Sequence, residues 1–396
     1  MTATPGLIPR GARNPGSQGA LRHLNQERLV EFLLANGPST QAELARGTGL
    51  STATVSNIVR DMSAKGVVAT SPVTSSGRRA LLVQLTDTGD IAVGVDFGRR
   101  HVRIVLSTLG YDVIAEEQVA LEPGYDVLGG GGEASALLDR MLLAGGYDRE
   151  SVLAVGVGIP GPIDRRTGTV LQGAILPEWV GITRRELEDV FGFPVVVDND
   201  ANLGALAEVT WGANRGERNL IFVKIGTGIG AGLILNGQPY YGFLGITGRA
   251  RAHARRRARR DLPLRQPRLP RDGRVDQRDA GVARARDRRG VTTADILRRG
   301  LEGDPAVLRV VRDAGTAIGQ AIGNIANVIN PELVLIGGPL VGLGDALLDP
   351  IRRGIQQNAL PIIAGTTTVR VSSLGDRAES LGAAAIVIQG ALAGNE

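Results

Sequence analysis

The chain has 396 residues, of which 43% are hydrophobic and only 3% aromatic, and it contains 56 glycines and no cysteine. This length is typical of two or three domains, and the composition indicates a turn-rich α/β protein. The absence of cysteine excludes disulfides and thiolate metal sites. No apolar run approaches the roughly 18–20 residues that a membrane-spanning helix needs. We therefore predict a cytoplasmic protein with no membrane partner.

The net charge of +5 could suggest binding to nucleic acid. However, residues 249–291 alone contain sixteen Arg and five Asp, so the rest of the chain is net acidic. The basic character belongs to this one segment and carries no argument for the whole protein.

The N-terminal part is predicted to consist of a tail followed by a helix. Residues 1–20 are rich in Gly, Pro, Arg and Asn and lack an apolar core, which predicts a disordered tail and not a signal peptide. Leu29, Phe32 and Leu33 then recur at helical spacing. Residues 36–38, Asn-Gly-Pro, are expected to end this first helix.

Two further helices with a sharp turn between them are predicted next. Thr40 and Glu43 have the spacing of a capping box, which starts a second helix. Gly49 permits the turn, and Ser51 is the expected N-cap of a third helix. The second helix carries Ala42, Leu44 and Ala45, and the third is expected to turn Val55, Ile58, Val59 and Met62 inward. This pattern is typical of a helix-turn-helix.

The outward face of the third helix is predicted to read DNA, since short polar groups can reach base edges and a guanidinium can contact phosphate. A hairpin follows, and its tip carries two arginines suited to phosphate or minor-groove contact. The alternative is a helical bundle used for protein contacts. The predicted DNA-binding residues are Ser51, Thr52, Thr54, Ser56, Asn57 and Arg60 on the helix, and Gly77, Arg78 and Arg79 on the wing.

From residue 89 onward the pattern changes to strands and glycine turns. Residues 91–98 and 101–106 form one predicted strand–turn–strand unit, and residues 220–235 form a second, which suggests an internal duplication. Glycine turns of this kind can present N–H groups to phosphate, although hairpins need glycine as well. A further strand at 333–338 ends in a glycine pair where an adenosine could lie.

Two more segments suggest a binding site. Residues 157–164 form a rigid loop after a strand. Asn199 and Asp200 follow another strand and begin a helix. Asp200 could accept a proton from a hydroxyl group, but helix capping is an equally good explanation for both residues.

These motifs resemble those of the ROK family (repressors, open reading frames and kinases). The resemblance spans residues 21–393 and rests on residues 44–56, 158–162, 199–202, 226–232 and 330–338. It implies a winged helix-turn-helix over residues 21–88, followed by a two-lobed actin/hexokinase-like domain of α/β class over residues 89–396, usually oligomeric, with a sugar in the cleft. In the family's kinases, the residue matching Asp200 is the catalytic base and the one matching Asn199 binds sugar.

The resemblance gives two sets of candidate cleft residues. The predicted sugar-binding residues are Gly158, Pro160, Gly161, Asn199 and Asp200. The predicted vestigial nucleotide-binding residues are Asp96, Gly98, Gly226, Thr227, Gly228, Gly230, Gly337 and Gly338.

The first phosphate loop departs from the kinase pattern. In ROK kinases this loop resembles Asp-x-Gly-Gly-Thr. Here Arg99 and Arg100 stand in place of the second Gly and the Thr. Bulky side chains hinder close backbone approach to phosphate, although an arginine could bind phosphate directly. We therefore predict a non-enzymatic repressor that binds operator DNA and a sugar or sugar-phosphate effector as a homodimer or homotetramer. The alternatives are an active sugar kinase, or a DNA-binding protein with a defective sensor.

Residues 249–291 lack the family's Gly-Glu-x-Gly-His and cysteine motif, which supplies a structural zinc site and part of the sugar site. With suitably chosen codons, residues 262–271 read in another frame become Cys-Arg-Cys-Gly-Asn-Arg-Gly-Cys-Leu-Glu. We hypothesise a frameshift that is restored before Thr292, either as a sequencing error or as a real pair of compensating mutations. The alternative is a solvated basic loop that binds nucleic acid. As written, the chain is predicted to bind no metal, and zinc is expected only if that frame is restored.

Overall fold

The computed structural model describes residues 36–64, 66–75, 78–86, 89–214, 217–242 and 291–393, together with single positions between 22 and 33. The predicted tail and almost all of the arginine-rich segment therefore lie outside the described residues. Within the described part of the chain, no helix has the length and apolar character needed to cross a membrane.

The N-terminal unit has the predicted helices and hairpin. The described positions between 22 and 36 are helical, and Gly37 ends this helix with a φ of 72°. Two helices, α1 (Gln41–Thr48) and α2 (Thr52–Ala64), follow. The short strand β1 (Ser39–Thr40) pairs with β3 (Arg78–Leu85), which pairs with β2 (Val68–Ser75).

The core of this unit confirms the predicted inward face of α2. Leu29, Leu33, Leu44, Ala45, Val55, Ile58, Val59 and Met62 are buried in one cluster. Ala42 is exposed. It lies two positions before the buried Leu44, which turns it about 160° from that residue around a helix of 3.6 residues per turn.

The C-terminal domain contains two five-stranded sheets with the same topology. In the first, the order is β6-β5-β4-β7-β10, with antiparallel pairing on one side of β4 and parallel pairing on the other. In the second, the order is β13-β12-β11-β14-β15, with β11 in the place of β4. The predicted duplication is therefore present.

The strands of the first sheet are β4 (Ile91–Gly98), β5 (His101–Thr108), β6 (Val113–Ala120), β7 (Val152–Ile159) and β10 (Val195–Asn199), and a hairpin of β8 (Ile163–Asp164) and β9 (Thr169–Val170) lies between them. The strands of the second are β11 (Leu220–Ile225), β12 (Ile229–Leu235), β13 (Gln238–Pro239), β14 (Leu333–Gly337) and β15 (Thr368–Val371).

Helices cover both sheets. The first sheet carries α3 (Val127–Gly145) and α4 (Arg184–Phe191), and the second carries α6 (Thr293–Leu301), α7 (Pro305–Ile329), α8 (Asp345–Asn358) and α9 (Pro361–Thr366). Short 3₁₀ helices span Arg149–Ser151, Pro177–Trp179, Pro339–Leu343 and Gly375–Arg377. Asp304 caps α7, and the following proline fits the first helical position.

Two helices, α5 (Asp200–Thr210) and α10 (Ala378–Ala393), pack against each other between the sheets. Helix α10 lies on β4 and β7, and α5 lies on β11 and β12. Glycine allows the closest approaches, because a Cβ on Gly382 would lie 1.8 Å from the Leu203 carbonyl oxygen. The two helices therefore join the halves of the domain.

Candidate functional site

The helix-turn-helix forms through local interactions that the sequence encodes directly. The Thr40 hydroxyl accepts from the Glu43 N–H, and the Glu43 carboxylate accepts from the Thr40 N–H, which completes the capping box. Gly49 has a φ of 71°, in the left-handed region that glycine tolerates. The Ser51 hydroxyl accepts from the Thr54 N–H at 3.1 Å and starts α2.

The predicted reading face of α2 is open to solvent. Its residues Ser51, Thr52, Ser56, Asn57 and Arg60 are exposed, and Thr54 is partly exposed. A bond of 2.6 Å from the Arg60 guanidinium to the Asn57 amide oxygen aligns the two side chains. Short polar groups on an exposed helix that follows a sharp turn can enter a major groove.

Of the three predicted wing residues, Arg79 is described in full and is exposed. The backbone of Arg78 pairs with Ser75 at the end of the hairpin. Gly77 and the Arg78 side chain lie outside the described residues. The position of the hairpin next to α2 suits phosphate contact beside the groove.

The first glycine turn, between β4 and β5, is covered by protein side chains. A Cβ on Gly98 would lie 2.1 Å from the His101 ring, and the His101 Nε2 lies 3.4 Å from an Asp96 carboxylate oxygen. The Tyr125 hydroxyl donates to the Gly98 carbonyl at 2.5 Å. Arg99 and Arg100 are exposed beside this turn. Arg99 was predicted to hinder the approach of phosphate to this backbone. The imidazole over Gly98 is a second group at the same turn, and it was not predicted from the sequence.

The second glycine turn, between β11 and β12, has smaller neighbours. Thr227 is exposed, and a Cβ on Gly228 would lie 2.9 Å from the Ile175 methyl group. Gly226 has more space, since Pro339 would lie 3.5 Å from its Cβ. Gly230 lies against α5, where a Cβ would be 3.1 Å from that of Ala201.

The glycine pair at the end of β14 is required for packing. A Cβ on Gly337 would lie 2.6 Å from the Phe222 ring. A Cβ on Gly338 would lie 2.5 Å from the Ile225 carbonyl oxygen, and Gly338 has a φ of 88°. Both glycines are buried, so their occurrence is explained without a nucleotide.

The predicted sugar-binding residues converge at the start of α5. Asn199 is the N-cap, and its carbonyl oxygen Oδ1 accepts from the Ala201 N–H at 3.0 Å. Its amide donates to the Gly161 carbonyl at 2.7 Å, which joins α5 to the loop after β7. Gly158, Pro160 and Gly161 in this region are buried. Capping therefore accounts for Asn199, whereas Asp200 is the first helical residue and not the cap.

Asp200 belongs to an ion cluster that contains a residue not predicted from the sequence. The Lys224 Nζ lies 3.0 Å from the Asp200 Oδ2 and 3.2 Å from the Glu379 Oε1. Asp200 Oδ1 accepts from the Ala201 N–H at 2.9 Å, so both carboxylate oxygens are held. Lys224 lies on β11 and Glu379 on α10, so the cluster connects the two halves of the domain.

The electrostatics of the cluster follow from burial and from one shared cation. Burial and the neighbouring carboxylates raise the pKa of Glu379 to about 7, against the attraction of Lys224. Burial also opposes ionisation of Asp96, but the Lys224 ammonium and the His101 imidazole outweigh it and lower the Asp96 pKa. Burial disfavours the charged form of Lys224, yet the three carboxylates raise its pKa well above the usual value. The charged form of Lys224 is therefore favoured by its carboxylate neighbours.

A second charged contact lies beside the cluster. The Arg165 guanidinium stacks on the Tyr241 ring at 3.4 Å from its centroid and lies 3.5 Å from Asp198 Oδ2. Asp198 is completely buried and accepts from the Asn202 amide at 2.9 Å. Burial raises the pKa of Asp198, and Arg165 opposes this effect.

The residues that the sequence analysis missed are His101, Arg165, Lys224, Tyr241 and Glu379. Lys224 had a signal, because it is a charged residue within the apolar strand β11, and buried cations usually have partners. Among the described residues, no group of three or more His, Cys, Asp or Glu side chains is arranged to hold a metal ion.

The two parts of the chain match two family models. The model described as the MarR family matches residues 23–79. The model described as the ROK family matches residues 92–390, which is more than half of the chain. A solved ROK family transcriptional regulator, a homologue of the E. coli MLC protein, aligns over 94% of this chain and 97% of its own with a TM-score of 0.67 and 23% identity. The predicted winged helix-turn-helix and actin/hexokinase-like fold are confirmed.

Two curated relatives differ in how much of the chain they cover. The xylose repressor of Caldicellulosiruptor bescii is 27% identical over 94% of this chain and 97% of its own. The glucokinase of Halalkalibacterium halodurans is 29% identical over 75% of this chain and 94% of its own. The match of the ROK family model to residues 92–390 shows that the chain belongs to the ROK family.

Proposed function

We propose that the chain is a sugar-responsive transcriptional repressor, in which the N-terminal unit binds operator DNA and the cleft of the ROK domain binds the effector. The observation that carries this proposal is the fusion of a helix-turn-helix with an exposed polar reading face to a ROK domain. A repressor relative extends over nearly the whole chain, which supports this assignment. We place the DNA-binding domain at residues 21–88 and the sensor at residues 89–396.

The DNA interface consists of the α2 face and the wing. Ser51, Thr52, Thr54, Ser56 and Asn57 contact base edges, and Arg60 contacts phosphate. Gly77, Arg78 and Arg79 extend the contact along the backbone. A homodimer or homotetramer would present two such helices to two half-sites.

The effector site consists of Gly158, Pro160, Gly161, Asn199 and Asp200. A sugar bound there contacts the start of α5, which packs on α10 between the two sheets. An effector that binds one arrangement of the two halves more tightly than another shifts the equilibrium between them and, through it, the affinity for DNA.

Phosphoryl transfer is not part of the proposed function. A kinase must bring ATP phosphates to a base that can take the hydroxyl proton. Here His101 covers the first turn, Arg99 and Arg100 flank it, and Lys224 is paired with Asp200. Because one relative is a glucokinase, a sugar kinase is the second candidate function. Release of ADP from ATP and D-glucose at a turnover of about 1 s⁻¹ or more would establish that candidate.

The DNA part is tested by selecting duplexes from a random library with the full-length protein and measuring the affinity of an enriched duplex at several salt concentrations. We expect Arg60→Ala to weaken binding and to reduce the salt slope by about one counterion. Arg185→Ala, an exposed arginine on α4, is the matched control and should change neither. Failure to enrich any duplex would contradict the proposal.

The sugar part is tested on the same complex with D-xylose, D-glucose and N-acetyl-D-glucosamine. We expect one of them to change the DNA affinity of the wild type and to have no effect on Asp200→Asn, which still binds DNA. If no sugar acts on the wild type, the chain is a DNA-binding protein with a defective sensor.

Resequencing the codons for residues 242–292 decides whether residues 249–291 are the true protein sequence. We propose that the chain as written uses no cofactor and that a restored frame would supply structural zinc. If the present frame is confirmed, a sequencing error is excluded, and a weak sugar response or none is expected.

A further inference from the structure

Lys224 occupies a position from which it can bind a ligand. Its side chain is 20% exposed, whereas those of Asp200 and Glu379 are 10% and 4% exposed, so it is the most accessible of these three groups. Two carboxylates of the described residues lie within ion-pair distance of Nζ. An ammonium has three N–H donors. Within the described part of the chain, at least one donor is therefore available to a molecule in the cleft.

Asp200 offers the complementary group. Its Oδ1 accepts from the Ala201 N–H and its Oδ2 from Lys224, and each oxygen has two lone pairs. The carboxylate is thus fixed in orientation and still has acceptor capacity. A sugar hydroxyl can donate to a carboxylate and accept from an ammonium at the same time, and hydrogen bonds to charged groups are the stronger ones.

We propose that Lys224 is an effector-binding residue, which together with Asp200 holds one neutral sugar hydroxyl between an ammonium donor and a carboxylate acceptor. This inference rests on the proposed sugar-binding function and assigns a residue outside the family motifs of the cleft. It also assigns the chemical class of the group that is bound there. Three carboxyl groups, those of Asp96, Asp200 and Glu379, act on the one Lys224 ammonium, and this excess of carboxyl groups disfavours a phosphate at this position.

The test measures sugar binding to the full-length chain by calorimetry. The first probes are D-xylose, D-glucose and N-acetyl-D-glucosamine, and the sugar that binds the wild type is used further. Lys224→Met removes the donor and should weaken binding about 10- to 100-fold, the loss expected for a hydrogen bond to a charged group. Lys224→Arg should recover part of the affinity. Because K224M leaves Glu379 without its cation, the measurement is repeated on K224M/E379Q, which removes one charge of each sign.

A structural role of Lys224 is separated from direct contact by monodeoxy analogues of the same sugar. The analogue that lacks the contacted hydroxyl should bind the wild type more weakly than the parent sugar, by the same factor as the K224M substitution. It should bind K224M as tightly as the parent sugar does, because the hydroxyl and the ammonium are partners. Unchanged affinity of folded K224M or K224M/E379Q would overturn the proposal. The proposal would also be overturned if each analogue lost the same affinity for the wild type as for K224M.

Two further outcomes separate this inference from the proposed function. If no sugar binds the wild type at about 10 mM, the sugar-binding function itself fails and this inference fails with it. If K224M loses more affinity for D-glucose 6-phosphate than for D-glucose, the phosphate lies at Lys224 and the assignment of a neutral hydroxyl is wrong.

Discussion

The β4–β5 turn and the β11–β12 turn hold equivalent places in the two duplicated sheets, yet their surroundings differ. Each joins the central strand of a five-stranded sheet to its antiparallel neighbour. The first is flanked by Arg99 and Arg100, and the His101 ring covers Gly98. The second retains four glycines between residues 226 and 232, and its closest neighbours are aliphatic groups or the helix α5.

The difference shows that the two turns are under different constraints. Glycines of the second turn and strand are needed because α5 lies so close, as at Gly232, where a Cβ would be 2.3 Å from the Ala201 carbonyl oxygen. Arg99 and Arg100 of the first turn are exposed, so these two positions can change without loss of the fold. Gly232, on the strand after the second turn, cannot accept a side chain without a shift of α5.

The largest effect is expected where the two halves meet. Gly382→Ala on α10 would place a Cβ 1.8 Å from the Leu203 carbonyl oxygen, and backbone on both sides must move. We expect a loss of about 3 kcal/mol or more in the free energy of unfolding. The matched control is Gly132→Ala on α3, where no atom lies within 4 Å of the added Cβ. This change should stabilise the protein by about 0.5–1 kcal/mol, because alanine favours the helix. Denaturant unfolding of both variants checks the comparison.

The ion cluster predicts a pH dependence of stability. Folding raises the pKa of Glu379 to about 7 from 4.5, because burial and the other carboxylates disfavour its charge more than Lys224 favours it. The contribution of Glu379 is thus fully present below pH 4.5 and is lost as the pH rises through 7. We expect the wild type to lose up to about 3 kcal/mol relative to Glu379→Gln between pH 4.5 and 8. If the free energies of unfolding of the two proteins changed with pH in the same way, the predicted loss of stability at high pH would be wrong.

Much of the fold could be predicted from the sequence because local signals encode it. The capping box at Thr40 and Glu43, the turn at Gly49 and the Ser51 cap all form as expected. The strands at 91–98 and 333–337 also follow from short apolar runs that end in glycine. Each of these features depends on residues only a few positions apart, so no knowledge of tertiary contacts was needed.

The cleft was less predictable because distant residues form it. Lys224 meets Glu379 across 155 positions of sequence, and Arg165 meets Tyr241 across 76. No local pattern around Glu379 indicates its role. Lys224 stands out as a charge within an apolar strand, whereas Glu379 lies at the start of a helix, where a charged residue is common. His101 was taken for the first residue of a return strand, which it is, but the direction of its ring depends on tertiary packing.

The cover over the first turn can be tested with a double-mutant cycle. The three atoms nearest to a Cβ on Gly98 all belong to the His101 ring. Gly98→Ala should therefore cost about 1–2 kcal/mol in the wild type and less than half of that in His101→Ala. Gly228→Ala in the second turn needs only a small shift of the Ile175 methyl group and should cost less than about 1 kcal/mol. An equal cost of Gly98→Ala in both backgrounds would exclude His101 as the obstruction.

The smallest effect is expected from restoring the kinase-like residues in the first turn. Arg99 and Arg100 are exposed, so R99G/R100T should change the free energy of unfolding by no more than about 0.5 kcal/mol. It should also leave ADP release from ATP and D-glucose at background, because His101 still covers Gly98 and Lys224 still holds Asp200. Adding His101→Ala uncovers the turn but leaves Lys224 in place, so the triple variant should be inactive as well. Turnover in R99G/R100T would mean that the two arginines alone prevent catalysis, and the pairing of Asp200 with Lys224 would then be compatible with a working base.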